Sequence, residues 1–155
     1  MSTKDKNKHW RKNRRRRFLV FLSHSSKDDW VARQLARQIE HARASCFLDV
    51  IELEGGDDFE RRIKAALQEC LELVVLITPA VLDSRYVWVE LGAAWGQGKR
   101  IVPLLYGLTA AEIQANPNIP VFVKRATLRS LNEADEYLNE LRARIEKKGK
   151  GRPKK

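Results

Sequence analysis

Three short apolar runs constrain the fold of this chain more than any other feature of its sequence. They are FLVFLS (18–23), LVVLIT (73–78) and RIVPLLYG (100–107). Apolar and polar residues do not alternate in them, and this pattern predicts strands that are buried on both faces. CFLDV (46–50) is a shorter strand of the same kind, interrupted by Asp49. Strands buried on both faces require a layer of helices on each side of the sheet.

Helical periodicity occupies the segments between these strands. Residues 80–97 are predicted to form a helix, broken near residues 83–84 and loosened at Gly92, and TAAEIQAN (109–116) a short one. VFVKRA (121–126) is the candidate for a fifth strand. Because strands and helices alternate, the sequence predicts an α/β fold with a parallel sheet. The other apolar residues at helical spacing are Trp30, Val31, Leu35, Ile39 and Ala42, then Phe59, Ile63, Ala66, Leu67 and Cys70, and finally Ala134, Tyr137, Leu138, Leu141 and Ile145 in the segment 132–145.

Polar residues follow the ends of three predicted strands. SHSS (23–26) follows the first strand, Asp49 with EGG (54–56) the second, and TPAVLDS (78–84) the third. The carboxyl ends of parallel strands meet at one edge of the sheet, where open α/β sheets bind their ligands. We therefore expect the functional site at this edge.

Glu90 is the one charged residue between Tyr86 and Gly98. It lies about two turns into the helix that follows the third strand, where it could reach the same edge of the sheet. Burying a carboxylate among apolar side chains is unfavourable unless something compensates for it. Two interpretations stay open: a functional carboxylate, or a structural one paired with Arg85 or Lys99.

The sequence lacks the motifs of several common classes of binding and catalytic site. There is no phosphate-binding G-x-x-x-x-G-K-[ST], no dinucleotide-binding G-x-G-x-x-G and no G-x-S-x-G around a nucleophilic serine. The three histidines have no metal-like spacing, so we expect no metal site. Cys46 and Cys70 are expected to be free thiols. No apolar run is long enough to cross a bilayer, and no secretory signal is evident, so we expect a cytoplasmic protein without membrane contact.

The positive charge is concentrated at the two ends of the chain. Residues 1–17 contain nine Lys or Arg and one Asp, and residues 142–155 contain eight Lys or Arg and one Glu. The whole chain carries +10, so residues 18–141 carry a net charge of −5. Such runs are typical of solvated tails, or of a weak nucleic-acid contact that depends on salt.

Several segments, taken in order, resemble those of TIR (Toll/interleukin-1 receptor) domains. FLVFLSHSSKDDW (18–30) resembles their first strand and loop, and CFLDVIELEGG (46–56) their second strand and BB loop. LVVLITPAVLDSRYVWVEL (73–91) resembles the third strand and the helix with a WVxxE-type motif, in which Tyr86 replaces the usual Trp. KRIVPLLYG (99–107) resembles the fourth strand.

This resemblance covers residues 17–147 and implies a flavodoxin-like three-layer sandwich. Its five-stranded parallel sheet would have the strand order 2-1-3-4-5. Residues 1–16 and 148–155 are then expected to be basic, disordered tails.

The resemblance also implies an activity. Many TIR domains cleave NAD+ at the nicotinamide–ribose bond and release nicotinamide with ADP-ribose or a cyclic ADP-ribose isomer. NAD+ is then the substrate, and no cofactor is needed. The catalytic carboxylate of the family corresponds to Glu90. The substrate-binding positions that the resemblance implies are Ser23, His24, Asp49, Glu54, Gly55, Ser84 and Tyr86.

The partners implied by the resemblance are NAD+, further copies of the chain and a separate sensor or effector protein. TIR domains associate through contacts that include the BB loop, and stand-alone bacterial members act in immune defence against phage or in signalling. Two other functions stay open. One is a scaffold that only binds TIR domains, and the other is an enzyme similar to nucleoside deoxyribosyltransferases on a related fold.

Overall fold

The computed structural model of this protein describes residues 17–48 and 57–151. Within them, five parallel strands form one sheet in the order β2-β1-β3-β4-β5. The predicted fold class and strand order are therefore confirmed. The strands are β1 Leu19–Ser23, β2 Ser45–Leu48, β3 Glu72–Ile77, β4 Arg100–Leu105 and β5 Arg129–Ser130. The α-helices are α1 Asp29–His41, α2 Asp57–Glu69, α3 Pro79–Leu82, α4 Arg85–Gly96, α5 Ala110–Ala115, α6 Val121–Lys124 and α7 Ala134–Lys150.

The central strands β1 and β3 are buried along their whole length. β1 pairs with β2 on one side and with β3 on the other, so the direction in which the sheet grows reverses between β1 and β3. Such a switch point opens a crevice at the carboxyl ends of the two strands. The fold thus puts the switch point at the edge of the sheet where the sequence predicts a site.

Side chains of β1 alternate between two separate cores. Leu19 and Phe21 face the core that α2, α4, α5 and α6 cover, whereas Val20 and Leu22 face the core under α1 and α7. This alternation follows from the two-residue period of a strand. It confirms that helices cover both faces of the sheet.

The expectation of a strand at residues 121–126 is wrong. These residues form the short helix α6, in which the carbonyl oxygen of Pro120 accepts hydrogen bonds from the amides of Val123 and Lys124 at 3.0 and 3.3 Å. A strand would turn Val121 and Val123 to the same face, but Val121 is 58% exposed and Val123 is fully buried. The fifth strand is instead the short segment Arg129–Ser130, paired with the end of β4.

Three details of the helices also differ from expectation. The break near residues 83–84 is confirmed, but α4 runs without interruption through Gly92, so the expected loosening there is wrong. Trp30 does not join the apolar face of α1, because its side chain is 73% exposed. Helix α7 continues to Lys150, beyond residue 148, where the C-terminal tail was expected to begin. The expected tail residues 1–16 and 152–155 lie outside the described part of the chain.

A buried ionic cluster ties α7 to the sheet at the edge opposite the crevice. Glu72, the first residue of β3, is 1% exposed. Its carboxylate accepts a hydrogen bond from the Tyr137 hydroxyl at 2.6 Å and two from the Arg144 guanidinium at 3.0 and 3.2 Å. Burial, reinforced by the neighbouring carboxylate, raises the pKa of Tyr137 well above its usual range, so this hydroxyl stays a donor. The cluster satisfies the buried charge of Glu72.

Replacing Tyr137 by Phe should lower the stability of the fold. The change removes a hydrogen bond to a buried carboxylate, which contributes about 1.5–3 kcal/mol. We expect a loss of that size in the free energy of unfolding, measured by urea denaturation. Tyr106→Phe is the matched control, because Tyr106 is 48% exposed. Equal stability of the two variants would contradict this account of Glu72.

Candidate active site

A hydrogen bond between Ser23 and Glu90 forms the centre of the candidate site. Ser23 ends β1, and Glu90 lies in the second turn of α4. The serine Oγ donates to Glu90 Oε2 at 2.5 Å, and the two residues are 0% and 2% exposed. The contact joins positions 67 residues apart in sequence. It brings a carboxylate to the carboxyl end of the central strand.

Glu90 occupies a position that packing alone would give to an apolar residue. The buried residues of α4 are Val87, Glu90, Leu91 and Ala94, which is the spacing of a helix face packed on a core. Burying an ionised carboxylate carries a desolvation penalty of several kcal/mol unless hydrogen bonds and charges offset it. A carboxylate that persists on such a face is a candidate for chemistry.

The side chains of β1 alternate between the two faces of the sheet, and the same alternation separates Ser23 from His24. Ser23 faces α4, so the next residue, His24, points to the opposite face of the sheet. There His24 Nε2 lies 3.4 Å from Asp29 Oδ1, and Asp29 Oδ2 accepts a hydrogen bond from Arg33 Nε at 2.7 Å. The hydrogen bond from Arg33, helped by His24, holds the pKa of Asp29 below its usual value.

His24 is nearly inaccessible in this arrangement. Its side chain is 1% exposed, and its Nδ1 has no hydrogen-bond partner among residues 17–48 and 57–151. The contact with Asp29 fixes the orientation of the ring. The structure therefore places Ser23 beside the carboxylate of Glu90 and His24 on the other side of the same strand end.

A second hydrogen bond joins the segments that follow β1 and β3, and the sequence did not predict it. Thr78 directly follows β3 and is 2% exposed, and its Oγ1 donates to Asp28 Oδ2 at 2.5 Å. Asp28 belongs to the 3-10 turn Ser26–Asp28, which Ser25 caps through its side chain. Thr78 begins the polar segment predicted after the third strand, whereas Asp28 lies two residues beyond the one predicted after the first strand. Their pairing depends on the fold.

Two further predicted residues lie at the start of α4. Ser84 is the N-cap of the helix, and its side chain makes no capping hydrogen bond. Tyr86 is 38% exposed and lies four residues before Glu90, hence on the same side of the helix and one turn nearer the edge of the sheet. The predicted residues Asp49, Glu54 and Gly55 lie outside the described residues, so their roles stay predictions.

The described residues include two free thiols and no cluster of potential metal ligands. They contain no group of His, Cys, Asp and Glu side chains that could hold a metal ion. The two cysteines are free, as expected, and burial raises the pKa of Cys46 to about 12 and that of Cys70 to about 11. Thiols with such values are poor nucleophiles at neutral pH. Within the same part of the chain, no helix combines the length and apolar character needed to cross a membrane.

Taken together, the fold and site define a flavodoxin-like α/β domain with a buried carboxylate beside its switch point. The sequence profile of the TIR domain family matches residues 20–142. The chain belongs to the TIR domain family, which confirms the resemblance seen in its motifs.

One curated relative is named a probable 2′ cyclic ADP-D-ribose synthase, from Brachypodium distachyon. It is 32% identical over 114 residues, which make up 70% of this chain and 51% of the relative. The chain thus spans about half the length of that relative.

Two solved structures share the fold at low sequence identity. The TIR domain of the Toll-related receptor TRR-2 from Hydra magnipapillata is 19% identical, with a TM-score of 0.59, and the match covers 79% of this chain and 97% of that one. The TIR domains of the activated Roq1 resistosome, which recognises the pathogen effector XopQ, are also 19% identical, with a TM-score of 0.54. That match covers 84% of this chain and 82% of the other.

Thr78→Val should loosen the loop that follows β1. The change leaves the Asp28 carboxylate without its hydroxyl donor, and a hydrogen bond to a charged group contributes about 1.5–3 kcal/mol. We expect faster amide hydrogen exchange in residues 24–28, measured on the native protein, together with a lower free energy of unfolding. Thr127→Val, at an exposed position, is the control. Unchanged exchange in this loop would show that this hydrogen bond does not order it.

Proposed function

We propose that this protein is an NAD+ nucleosidase that cleaves the nicotinamide–ribose bond, with Glu90 as its catalytic residue. The observation that carries the proposal is the buried Ser23–Glu90 hydrogen bond at the switch point. Membership of the TIR family and the name of the Brachypodium relative support the same chemistry. No metal or cofactor takes part in the proposed reaction.

The chemistry of the substrate fits a site built around one carboxylate. The nicotinamide of NAD+ is a cationic ring and leaves as a neutral molecule, so its departure needs no general acid. Positive charge then develops on the ribose, as in glycoside hydrolysis. A carboxylate near the ribose stabilises this charge electrostatically, and fixed, buried groups do so best. Glu90 would supply that charge from a side chain that α4 holds in place. Because this side chain is 2% exposed, the proposal requires the residues that cover it to move when the ribose binds.

Ser23 is the residue best placed to orient the carboxylate. Its donated hydrogen bond fixes Oε2 of Glu90, so the carboxylate need not reorganise when the ribose becomes cationic. Tyr86, one turn nearer the edge, is proposed to line the entry for the substrate, with Ser84 beside it. His24 is proposed to contact the substrate from the other side of β1, which would require its ring to become accessible.

The fate of the ribosyl cation depends on which nucleophile reaches it. Water gives ADP-ribose, whereas a hydroxyl group or adenine nitrogen of the same molecule gives a cyclic isomer. The apolar residues around Glu90 favour exclusion of water, and with it the cyclic product. The name of the Brachypodium relative, a cyclic ADP-ribose synthase, favours this outcome as well.

Glu90→Gln should abolish NAD+ cleavage without unfolding the protein. The amide removes the negative charge that stabilises the ribosyl cation, so we expect at least a hundredfold loss of nicotinamide release, followed by chromatography. The melting temperature should stay equal or rise, because the variant no longer buries a charge. Glu60→Gln, at an exposed position on α2, should keep wild-type turnover. Full turnover in Glu90→Gln would refute the proposed role.

We further propose that the protein works in the cytoplasm as an assembly of several copies, in prokaryotic immune defence or signalling. The Roq1 structure contains TIR domains assembled in a resistosome, which supports self-association as a property to test here. Exposed apolar side chains such as Trp30 and Val89, 73% and 68% exposed, offer surface for such contacts. A scaffold without catalysis, which would use the same contacts, is the alternative.

Specific activity should rise with protein concentration if assembly completes the site. We expect a dilute monomer to release nicotinamide slowly and a concentrated or crowded sample to release it faster per molecule. Sedimentation velocity on the same samples gives the oligomeric state. A monomer whose specific activity does not depend on concentration would contradict the assembly, and no release at any concentration would favour the scaffold.

A further inference from the structure

A second concave surface lies at the opposite end of α4 from the candidate active site. It has a volume of about 450 Å³ and is lined by the end of α4, the start of β4 and helix α6. Helix α4 runs from the carboxyl edge of the sheet, near Glu90, towards the amino edge, where β4 begins. The volume lies in the range typical of ligand sites, 300–1,000 Å³. We call this surface the Trp95 groove.

The floor of the Trp95 groove is a stacked aromatic pair. The rings of Trp95 and Phe122 lie 5.0 Å apart, with an angle of 12° between their planes. Phe122 also packs against the core under α4, which anchors the pair. Trp95 is nevertheless 57% exposed. The chain thus holds a large aromatic surface in a fixed orientation and leaves much of it open to a ligand.

Two cationic side chains flank this aromatic pair. Lys99 and Arg125 both line the groove. Lys99 Nζ donates to the carbonyl oxygen of Gln68 at 2.8 Å, which positions the ammonium and uses one of its three donors. Arg125 is exposed and has no ion-pair partner within residues 17–48 and 57–151. Among residues 17–48 and 57–151, no acidic side chain lines the groove.

We propose that the Trp95 groove binds a free nucleotide, with its base stacked on Trp95 and its phosphate held by Arg125 and Lys99. An open aromatic face binds any base by stacking, and this contact is strong in proteins that bind nucleotides in a sequence-independent way. A guanidinium matches two phosphate oxygens at once, and an ammonium adds a point charge. The apolar side chains of Ile101 and Val121 supply the remaining walls.

This site is separate from the proposed chemistry at Glu90. Trp95 lies five residues beyond Glu90 on the same helix, hence about 140° around its axis and about 7.5 Å along it. The groove and the active site therefore share a rigid element but no side chain. The inference does not depend on NAD+ cleavage, because binding at the groove can be measured in a protein that has lost Glu90.

Calorimetric titration of the Glu90→Gln protein with AMP tests the proposal directly. AMP has a base and a phosphate but no nicotinamide–ribose bond to cleave. We expect AMP to bind, and adenosine or inorganic phosphate alone to bind at least about tenfold more weakly, because each makes only part of the contacts. Trp95→Ala and Arg125→Ala should each weaken AMP binding about tenfold.

Two control variants separate the groove from other exposed residues of the same type. Trp30→Ala removes an exposed tryptophan outside the groove, and Arg142→Ala removes an exposed arginine on α7. Both should bind AMP as the parent protein does. Trp95 and Arg125 are exposed, so both variants should still unfold cooperatively, which confirms that they are folded. Trp95→Ala should melt at a slightly lower temperature, because it loses the stack on Phe122.

Three results would overturn the proposal. The first is the absence of binding at millimolar AMP. The second is binding that Trp95→Ala and Arg125→Ala leave intact, because the nucleotide would then occupy another site. The third is a change in sedimentation of these variants without AMP binding, which would make the groove a contact between copies of the chain.

Discussion

The parallel pairing of β1 with β3 is the contact on which the rest of the site depends. It matches Val20 with Glu72 at one end and Ser23 with Val75 at the other. Because side chains alternate along a strand, a shift of one residue would turn Ser23 away from α4 and put an apolar side chain against Glu90. The two buried cores forbid such a shift, since it would also exchange every side chain between them. The packing of the two cores thus determines that Ser23 faces Glu90 at the edge of the sheet.

The sequence predicted best where the physical signal was local and strong. Unbroken apolar runs located the central strands, and the single charge among apolar residues indicated Glu90 without indicating its hydrogen bond to Ser23. The strand prediction for residues 121–126 failed because Val and Phe favour strands. In the structure, Pro120 precedes a short helix that leaves Val121 exposed. The pairing of Thr78 with Asp28 could not be predicted, since it joins residues 50 positions apart that only the fold brings together.

Glu90 and Glu72 show two ways in which one sheet accommodates a buried carboxylate. Glu72 is matched by a tyrosine hydroxyl and an arginine, so its charge is neutralised within the fold. Glu90 receives a hydroxyl hydrogen bond from Ser23 on the core-facing side of α4. A cationic substrate would add the opposite charge at that point. The first carboxylate serves the architecture, and the second is the one proposed to stabilise the positive charge of the substrate.

Arg144 lies two residues beyond the segment that matches the TIR family profile, which ends at residue 142. Yet its guanidinium is one of the two partners that solvate the buried charge of Glu72. The segment that matches the family therefore ends before the last side chain that contacts the buried carboxylate. A boundary drawn from homology alone would cut through an ion pair in the interior. Packing continues beyond that ion pair, because Ile145 contacts the core under α7 and Lys148 lies over the ring of Phe18.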